Sequence, residues 1–328
     1  MKVFITGATG FIGRNLALML AETGHEINAL YRDPGRTKGM KHEKINWFKG
    51  DLSNKDSICI AMKDCEQVYH IAAFASLSIR NPGMIYQQNV QGTVNVLDCA
   101  SDLGIKKLVF TSTAGVFGPT QGEVLDETAP YPEEMFTDYI RSKAEAEKVV
   151  LEYVGKGMDI VTVNPTRVFG PGLMSTSNAA GIMDQYLKGK WRIMPGKGEM
   201  TGNYVFVDDV SRGIIQAMQK GRKGERYILG GENLSFKKFI ETIKRTTGKN
   251  RILIRVPGFV ILLIAHVLLF AGRLLGRTPP FTPDEVKRLN NDWLVSSEKA
   301  TRELEYKPRS FEEGVKTTIA WLNSKSTH

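Results

Sequence analysis

The sequence predicts an α/β protein built on a doubly wound parallel sheet, with a smaller C-terminal α/β region. Three observations support this prediction. Short apolar runs alternate with helical stretches through the first 172 residues, as expected when helices connect parallel strands. A glycine-rich turn at 7–13 directly follows the first apolar run. Beyond residue 172 the alternation becomes irregular, which indicates a second region packed on the sheet.

Each element of the first region follows from its local pattern. Strands are predicted where short apolar runs are bounded by turn residues, at 3–5, 26–31, 45–49, 67–71, 107–111 and 160–163. Longer stretches with apolar residues at helical spacing predict helices at 11–23, 54–63, 86–103 and 136–154. Gly24 and Gly104 end two of these helices. Asn164-Pro165 is expected to end the last strand, because proline lacks the N–H that a ladder needs.

The composition is that of an ordinary globular chain with a basic surface. Of the 328 residues, 42% are hydrophobic and 24% are charged, and the net charge is +9. Lys and Arg are spread along the chain with local clusters at 32–49 and 237–255, and we find no zinc spacing or RNA-binding signature. We therefore expect no nucleic-acid partner. The charge also suits attraction of an anionic small molecule, such as a phosphorylated cofactor.

The cysteines and the N-terminus favour a cytoplasmic protein. Cys59, Cys65 and Cys99 are too few and too scattered for a disulfide framework, so we expect buried, reduced thiols. Only Lys2 precedes the first apolar run, and the glycine-rich turn follows where the apolar core of a signal peptide would have to continue.

One apolar segment stands out in the C-terminal region. Residues 256–272 contain no Asp, Glu, Lys or Arg, and Arg255, Arg273 and Arg277 flank them. The segment is short for a membrane-spanning helix, and Pro257, Gly258 and His266 weaken that interpretation further. We favour a buried helix or one that covers an apolar pocket. Peripheral contact of 256–277 with a membrane surface is the alternative that the flanking cations suggest.

The glycine-rich turn is typical of a Rossmann-type dinucleotide site. Gly7, Gly10 and Gly13 stand between a strand and the start of a helix. Such glycines permit a tight turn, close approach of a pyrophosphate and close packing of helix on strand. The helix N-terminus then faces the phosphates. We therefore assign 1–172 as the dinucleotide-binding core, to which later segments are expected to return, and 173–328 as mainly substrate-binding.

The end of the second strand favours NADP over NAD. An acidic residue there would accept the 2′-hydroxyl of the adenosine ribose. This chain has Tyr31 at that place and Arg32 after it, and an arginine can bind a 2′-phosphate in a bidentate manner. NAD stays an alternative, because Asp33 stands two positions after Tyr31, and a shift of the motif by two residues would place this acid at the ribose.

Tyr139 and Lys143 form a Tyr-x-x-x-Lys pair on a predicted helix. Positions four apart lie on one face of a helix, so the ammonium can approach the phenol. A nearby cation favours the phenolate and is expected to bring the pKa of Tyr139 towards neutrality, where it can exchange protons. The spacing is common in surface pairs, so its weight comes from the motifs around it.

Taken in order, these motifs make the chain resemble the extended short-chain dehydrogenase/reductase family from end to end. The matching stretches are 6–13, 50–52, 70–73, 89–93, 110–118, 139–143, 164–172, 207–209 and 297–321. The resemblance implies an NAD(P)-dependent enzyme that transfers hydride, and a homodimer through the helices 86–103 and 136–154.

The resemblance also implies roles for individual residues. Thr113 would hydrogen-bond the substrate oxygen, with Ser112 as the alternative one position earlier. Tyr139 would exchange a proton with that oxygen, and Lys143 would tune Tyr139 and bind ribose. The residues expected to contact the cofactor are Gly7, Thr9, Gly10, Phe11, Ile12, Gly13, Arg32, Asp51, Leu52, Ala72, Ala73, Lys143, Pro165 and Val168. No metal site is expected.

Two positions decide between branches of the family. Sugar 4,6-dehydratases resemble one another in an Asp-Glu pair after the catalytic Thr, where this chain has Ala114 and Gly115. Enzymes of sugar nucleotides commonly carry an Arg where this chain has Gly202, and its absence would leave a diphosphate without a partner, although Lys197 or Arg192 could compensate. The segments 32–34 and 110–115 look like those of dihydroflavonol 4-reductases, cinnamoyl-CoA-type reductases and 3β-hydroxysteroid dehydrogenases.

The leading hypothesis is an NADP(H)-dependent oxidoreductase that acts on the ketone, aldehyde or alcohol of a bulky, partly apolar substrate. A sugar epimerase with tightly bound NAD(P) is the enzymatic alternative. A non-catalytic NAD(P)-binding regulatory protein is an alternative of another class, which the presence of Thr113, Tyr139 and Lys143 disfavours.

Overall fold

A computed structural model describes residues 1–75, 83–172, 179–276 and 279–325. Its strands are β1 Lys2–Thr6, β2 Glu26–Tyr31, β3 Ile45–Lys49, β4 Gln67–His70, β5 Lys107–Thr111, β6 Ile160–Pro165, β7 Arg167–Phe169, β8 Ile193–Pro195, β9 Thr201–Phe206, β10 Arg226–Leu229, β11 Glu232–Ser235 and β12 Ile254–Val256. Its α-helices are α1 Phe11–Glu22, α2 Lys55–Met62, α3 Met84–Tyr86, α4 Gly92–Asp102, α5 Asp138–Gly155, α6 Ala179–Leu187, α7 Val207–Lys220, α8 Phe236–Thr247, α9 Gly258–Leu275, α10 Pro283–Leu289, α11 Glu298–Leu304 and α12 Phe311–Lys325.

The central sheet has seven parallel strands in the order β10-β6-β5-β4-β1-β2-β3. The order reverses beside β1, so the sheet is doubly wound, as the sequence predicts. In β1, Val3 and Ile5 pack into the apolar cluster on one face, and Phe4 packs into the cluster on the other. Burial on both faces explains why these strands are continuous apolar runs rather than alternating ones.

The C-terminal half contributes to the central sheet and also builds smaller ones. β10 extends the central sheet beside β6, while β11-β9-β7 and β12-β8 form separate sheets of three and two strands. A further apolar cluster centred on Tyr204, Phe239 and Phe311 packs α6, α8 and α12 against the three-stranded sheet. This second body lies at the carboxyl ends of the central strands, where ligands bind in open α/β sheets.

Two predicted boundaries differ from the structure. The helix predicted at 86–103 is divided into α3, a π-helical turn at Gln87–Gln91 and α4. β6 continues through Asn164 and ends with Pro165, which pairs with Leu229 of β10. The proline is tolerated there because it closes the strand.

The expectation of three reduced thiols is wrong. Cys59 on α2 and Cys99 on α4 form a disulfide, and Cys65 remains free. These two helices pack side by side, and the Cα atoms of the two cysteines are 5.3 Å apart, within the range that a disulfide spans. The sequence separation of 40 residues concealed this proximity.

The apolar segment was expected to be a buried helix or one that covers an apolar pocket; the first alternative is wrong, and the second agrees with the structure, since His266 and Leu269 line a cavity. The segment forms α9, but only Ala265 and Gly272 of this helix are buried. α9 packs on α10 and one side of it borders a cavity, while most of its large side chains are exposed. Arg277, the third flanking cation, lies outside the described residues.

Candidate active site

The glycine-rich turn has the geometry that its sequence predicts. Gly7 has a φ of +77°, and a Cβ there would lie 2.6 Å from the backbone nitrogen of Ala72. A Cβ at Gly13 would lie 2.1 Å from the carbonyl oxygen of Gly7. The Gly10 N–H donates to that same carbonyl at 2.8 Å, and Gly10 is the N-cap of α1. No side chain caps α1, so its first N–H groups are available to an anionic ligand.

The residues between these glycines and after β3 border the same edge of the sheet. Phe11 and Ile12 begin α1 directly after Thr9 and Gly10, and both side chains are partly buried against the second body. Leu52 is buried beneath α4, where a Cβ on Gly92 would lie 2.9 Å from the Leu52 Cβ.

The end of β2 carries positive charge. Arg32 is exposed and its guanidinium lies 3.6 Å from the Asp51 carboxylate. The Asp33 carboxylate accepts a hydrogen bond from the Gly35 N–H and caps the 3₁₀ turn Pro34–Thr37. One oxygen of the exposed Asp33 carboxylate is thus occupied by its own turn.

Asp51 is held by several donors. Burial raises the pKa of its carboxyl, but hydrogen bonds from the Ser53 N–H, the Ser53 hydroxyl and the Gln88 amide, with the charge of Arg32, outweigh that and lower it overall. The side chain is therefore an ionised acceptor next to Leu52.

A cavity of about 600 Å³ opens beside this edge. Thr113 and Tyr139 line it together, with Arg167, Arg288 and residues of α9. Its walls therefore come from both the central core and the C-terminal half. Pro165 and Val168 lie nearby at the end of β6 and in β7, buried or half-buried rather than in the cavity lining.

Thr113 rather than Ser112 faces the cavity. Thr113 is extended, it caps the 3₁₀ turn Ala114–Phe117, and its hydroxyl accepts the Gly115 N–H at 3.2 Å. The Ser112 side chain is buried on the other side of the backbone, and its hydroxyl has no partner among the described residues. The geometry thus supports Thr113 as the hydroxyl that meets a substrate oxygen.

Tyr139 begins the first turn of α5, where the Thr137 hydroxyl caps the helix by accepting the Ile140 N–H. Burial raises the pKa of Tyr139 to about 12, and the charge of Arg288 opposes the rise. The expected lowering by Lys143 is not present in this structure, because Lys143 is turned into the core. Its ammonium lies 4.1 Å from the centre of the Phe110 ring.

Lys143 is one of the largest fully buried side chains of the protein. Burial lowers its pKa to about 7, and the charge of Glu147, one helical turn further along α5, raises it in part. Burial and the charge of Lys143 lower the pKa of His70 to about 3, so this imidazole is neutral and links the hydroxyls of Thr6 and Thr93. α5 thus presents a phenol to the cavity and keeps an amine behind it that can gain or lose a proton near neutral pH.

Glu147 and Asn89 anchor this helix, and neither was singled out from the sequence. The buried Glu147 carboxylate accepts from the Tyr131 hydroxyl and the Asn164 amide, and it pairs with Arg226 at 3.6 Å. The Asn89 amide lies in the π-helical turn and donates to the Ser142 hydroxyl at 2.9 Å, between Tyr139 and Lys143. The stretch 89–93 matched the family pattern, so its position gave a signal that we did not interpret.

Arg167 and Arg288 are the other residues that the sequence analysis missed. A Cβ on Gly202 would lie 2.4 Å from a guanidinium nitrogen of Arg167, so Arg167 occupies the space that a side chain at 202 would take. Arg167 therefore brings a cation to the position of Gly202, in addition to the Lys197 and Arg192 that the sequence analysis named as compensating cations. Burial and the like charge of Arg167 lower the pKa of Arg288 to about 10.

A nicotinamide dinucleotide fits these residues. The glycines leave a cradle that any Cβ would fill, the N-terminus of α1 is uncapped, and Asp51 and Arg32 stand where the adenosine end would lie. No cluster of His, Cys, Asp and Glu that could hold a metal ion occurs among the described residues.

Comparison with known proteins agrees with this geometry. The sequence model of the NAD dependent epimerase/dehydratase family matches residues 3–230. A Synechocystis protein that carries the name dihydroflavonol 4-reductase is 32% identical, over 98% of this chain and 94% of that protein. The sterol demethylase protein B of Methylococcus capsulatus is 29% identical over 99% of each chain. The crystal structure of gox2253 superposes with a TM-score of 0.83 at 29% identity, covering 98% of both chains.

More distant structures share the fold alone. A UDP-glucose 4-epimerase from Thermotoga maritima superposes with a TM-score of 0.82, covering 99% of this chain and 100% of that one, at 22% identity.

Proposed function

This chain belongs to the NAD dependent epimerase/dehydratase family, and we propose that it uses NADP(H) to reduce a ketone or aldehyde of a bulky, partly apolar substrate, or to oxidise the alcohol. Its membership and its relatives make it an NAD(P)-dependent oxidoreductase. Those relatives include a Stigmatella aurantiaca protein named as the ketoreductase of a farnesylated quinoline oxide and a Candida albicans protein named as a sterol-4-alpha-carboxylate 3-dehydrogenase.

The observation that carries the proposal is the placement of Thr113 and Tyr139 on one cavity wall, with Lys143 buried behind them. With a pKa raised to about 12, the phenol is protonated at neutral pH and can donate its proton to a carbonyl oxygen. The Thr113 hydroxyl supplies a second hydrogen bond to the same oxygen. A bound nicotinamide supplies the hydride chemistry; the protein supplies position and the proton.

The preference for NADP(H) rests on the end of β2. Arg32 is exposed and could exchange its ion pair with Asp51 for one with a 2′-phosphate. Tyr31 stands where the acid is expected, and one oxygen of Asp33 accepts the Gly35 N–H. Arg14 donates a 2.8 Å hydrogen bond to the Gly39 carbonyl in the loop after β2, and it adds a second cation there.

Fluorescence titration with NADPH and NADH tests this preference. We expect NADPH to bind more tightly, and Arg32→Ser to weaken NADPH by roughly ten-fold or more, the loss of one charge-assisted hydrogen bond, while NADH binding is unchanged. Lys41→Ser removes an equal charge from the exposed loop before β3 and serves as the control. Tighter binding of NADH by the unchanged protein would refute the preference.

The cavity also supports a substrate that carries an acidic group. Arg167 and Arg288 act on each other as like charges, and among the described residues neither forms a salt bridge, although the charge of Glu285 partly offsets that of Arg167 at Arg288. One terminal nitrogen of Arg167 is buried without a partner. Two like charges held together stabilise an anion between them. Arg288→Gln is expected to raise KM for a keto acid and leave KM for its neutral ester unchanged. Equal changes for both would contradict an anion contact.

The experiment that tests the function is a substrate screen that follows the absorbance of the reduced nicotinamide. Steroid ketones, aromatic and aliphatic ketones, aldehydes and sugar nucleotides are offered with NADPH. We expect net oxidation of NADPH with bulky apolar ketones. Epimerisation of sugar nucleotides without net cofactor turnover would favour the epimerase alternative. Tight cofactor binding with no turnover of any substrate would favour the regulatory alternative.

A further inference from the structure

We propose that α9 and the two-stranded ribbon that leads into it dock in the plane of an anionic lipid surface. The outer face of α9 carries large apolar side chains at helical spacing, so they form one stripe. The exposed fractions of these side chains are 73% for Phe259, 64% for Leu263, 60% for Val267, 66% for Phe270 and 72% for Leu274.

The ribbon extends this stripe without a break in the chain. β12 pairs with β8 and ends at Val256, and Pro257 is the N-cap of α9. Ile254 of β12, Ile193 of β8 and Ile252 are also exposed. A run of exposed large apolar residues of this length is unusual on a protein that meets only water.

Charge indicates which partner covers the stripe. Between Glu241 and Asp284 the sequence has no acidic residue. Arg192 and Arg255 are exposed at the ribbon, and Arg273 is exposed on the last turn of α9, where it also lines the cavity with Asp284 and Glu285 of α10. Cations beside an apolar face suit the anionic headgroups of a lipid leaflet. A second copy of this chain would bring the same cations to the interface, so a dimer through this face would lack the favourable charge contacts that anionic headgroups supply.

The helix lies along the surface and does not cross a bilayer. Among the described residues, α9 is long and apolar enough to span one by length and composition. A helix of 18 residues is, however, only about 27 Å long, slightly less than the roughly 30 Å hydrocarbon core of a typical bilayer. β12 before it pairs with β8, and α10 after it packs on α9 and places Arg288 in the cavity wall with Tyr139. Ala265 and Gly272 on the inner side of α9 are buried. A crossing would therefore require the C-terminal region to unfold.

Docking would place the substrate cavity at the lipid boundary. His266, Leu269 and Arg273 of α9 line that cavity, so the cavity would open next to the face of the helix that docks. This consequence rests on the proposed function, because a bulky apolar ketone dissolves in lipid. Docking itself rests only on the apolar stripe and the charges.

Co-sedimentation with vesicles tests the proposal. The full protein is mixed with phosphatidylcholine vesicles and with vesicles that contain about 30% phosphatidylserine, as in an anionic leaflet. We expect strong binding to the anionic vesicles only. Leu263→Gln/Phe270→Gln should weaken binding by at least about ten-fold, since each exposed side chain loses its transfer into lipid. Arg192→Gln/Arg255→Gln, at two exposed positions outside the cavity lining, should remove the preference for anionic vesicles.

The matched control is Ile60→Gln/Leu151→Gln, which replaces exposed apolar residues on α2 and α5, and it should bind as the unchanged protein does. Three outcomes would overturn the proposal: equal binding by Leu263→Gln/Phe270→Gln, a dimer in light scattering that this variant breaks while no vesicle binds, or vesicle binding that resists alkaline carbonate as a spanning helix does. Turnover of a water-soluble ketone without vesicles is expected to be the same in all variants, which separates failure of docking from failure of the proposed function.

Discussion

α5 and α9 are both 18 residues long, yet their burial is the opposite of what their compositions suggest. α5 is rich in charged residues and buries eight side chains, among them Lys143 and Glu147. α9 is almost wholly apolar and buries only Ala265 and Gly272. The difference shows that a polar group can be buried where it has partners, since Glu147 accepts hydrogen bonds and faces Arg226. An apolar helix, by contrast, can be covered by any surface that excludes water.

The two helices also serve different purposes in this account. α5 holds the groups that exchange protons, and its buried network fixes their positions. α9 forms one wall of the cavity, and we propose that its outer face meets a lipid surface. Substitutions in the two helices should therefore change different measured properties. The following four predictions are arranged by the size of the expected effect.

The largest effect is expected from Tyr139→Phe in α5. Loss of the proton donor should lower kcat by about 10²–10⁴-fold while cofactor affinity stays nearly unchanged. Tyr86→Phe removes a hydroxyl from an exposed residue that does not line the cavity and is the control. Steady-state kinetics with a ketone from the screen measure the effect, and a kcat within a factor of a few of the unchanged protein would exclude Tyr139 as the proton donor.

The next effect concerns the buried network rather than the chemistry. Glu147→Leu should lower the free energy of unfolding by about 3–5 kcal/mol, because it leaves Arg226, Asn164 and the Tyr131 hydroxyl without their buried partner. Urea unfolding followed by circular dichroism measures it. Glu145→Leu, at an exposed position on the same helix, should change the free energy of unfolding little; similar losses for both variants would mean that helix composition, not the network, stabilises α5.

A smaller effect is expected on the pH dependence of stability. Lys143 has a pKa of about 7 in the folded protein against 10.5 in a model compound, so between these values the unfolded chain binds a proton that the folded chain does not. The free energy of unfolding should then rise with pH across this window, by at most about 1.4 kcal/mol per pH unit from this group. Lys143→Met should flatten the rise. Parallel profiles for the two proteins would show that Lys143 stays charged when buried.

The smallest effect is expected from single substitutions on the outer face of α9. Phe270→Ser should change the free energy of unfolding in vesicle-free buffer by about 0.5 kcal/mol or less, because the side chain is already in water. Ala265→Ser, which buries a hydroxyl at the inner face, should cost more. A large loss from Phe270→Ser would mean that the exposed stripe is covered in solution, by a second copy or by a rearranged helix.

The features that are local in sequence could be predicted, and the central fold follows from them. Six of the seven strands of the central sheet were placed to within about two residues, since each is an apolar run between turn residues. The glycine turn was also predicted, because three glycines at that spacing satisfy a steric requirement that the structure shows directly.

What could not be predicted depends on contacts between distant parts of the chain. Arg167 occupies the space above Gly202, 35 positions away, and Cys59 meets Cys99 across two helices. The orientation of Lys143 towards Phe110 and the exposure of α9 are likewise set by neighbours that the local pattern does not contain. An apolar helix in a basic stretch is consistent with a core, a pocket wall or a lipid surface, and only the packing distinguishes them.

The central claim is that this protein transfers hydride to a carbonyl carbon with net consumption of cofactor. The most direct test uses NADPH deuterated at the transferred position, with a ketone that the screen identifies, and mass spectrometry of the product. The account predicts an alcohol heavier by one deuterium, formed in equal amount to the NADP⁺, and formed at least about 10²-fold more slowly with Tyr139→Phe. An isomerised product without deuterium and without net oxidation of NADPH would contradict it.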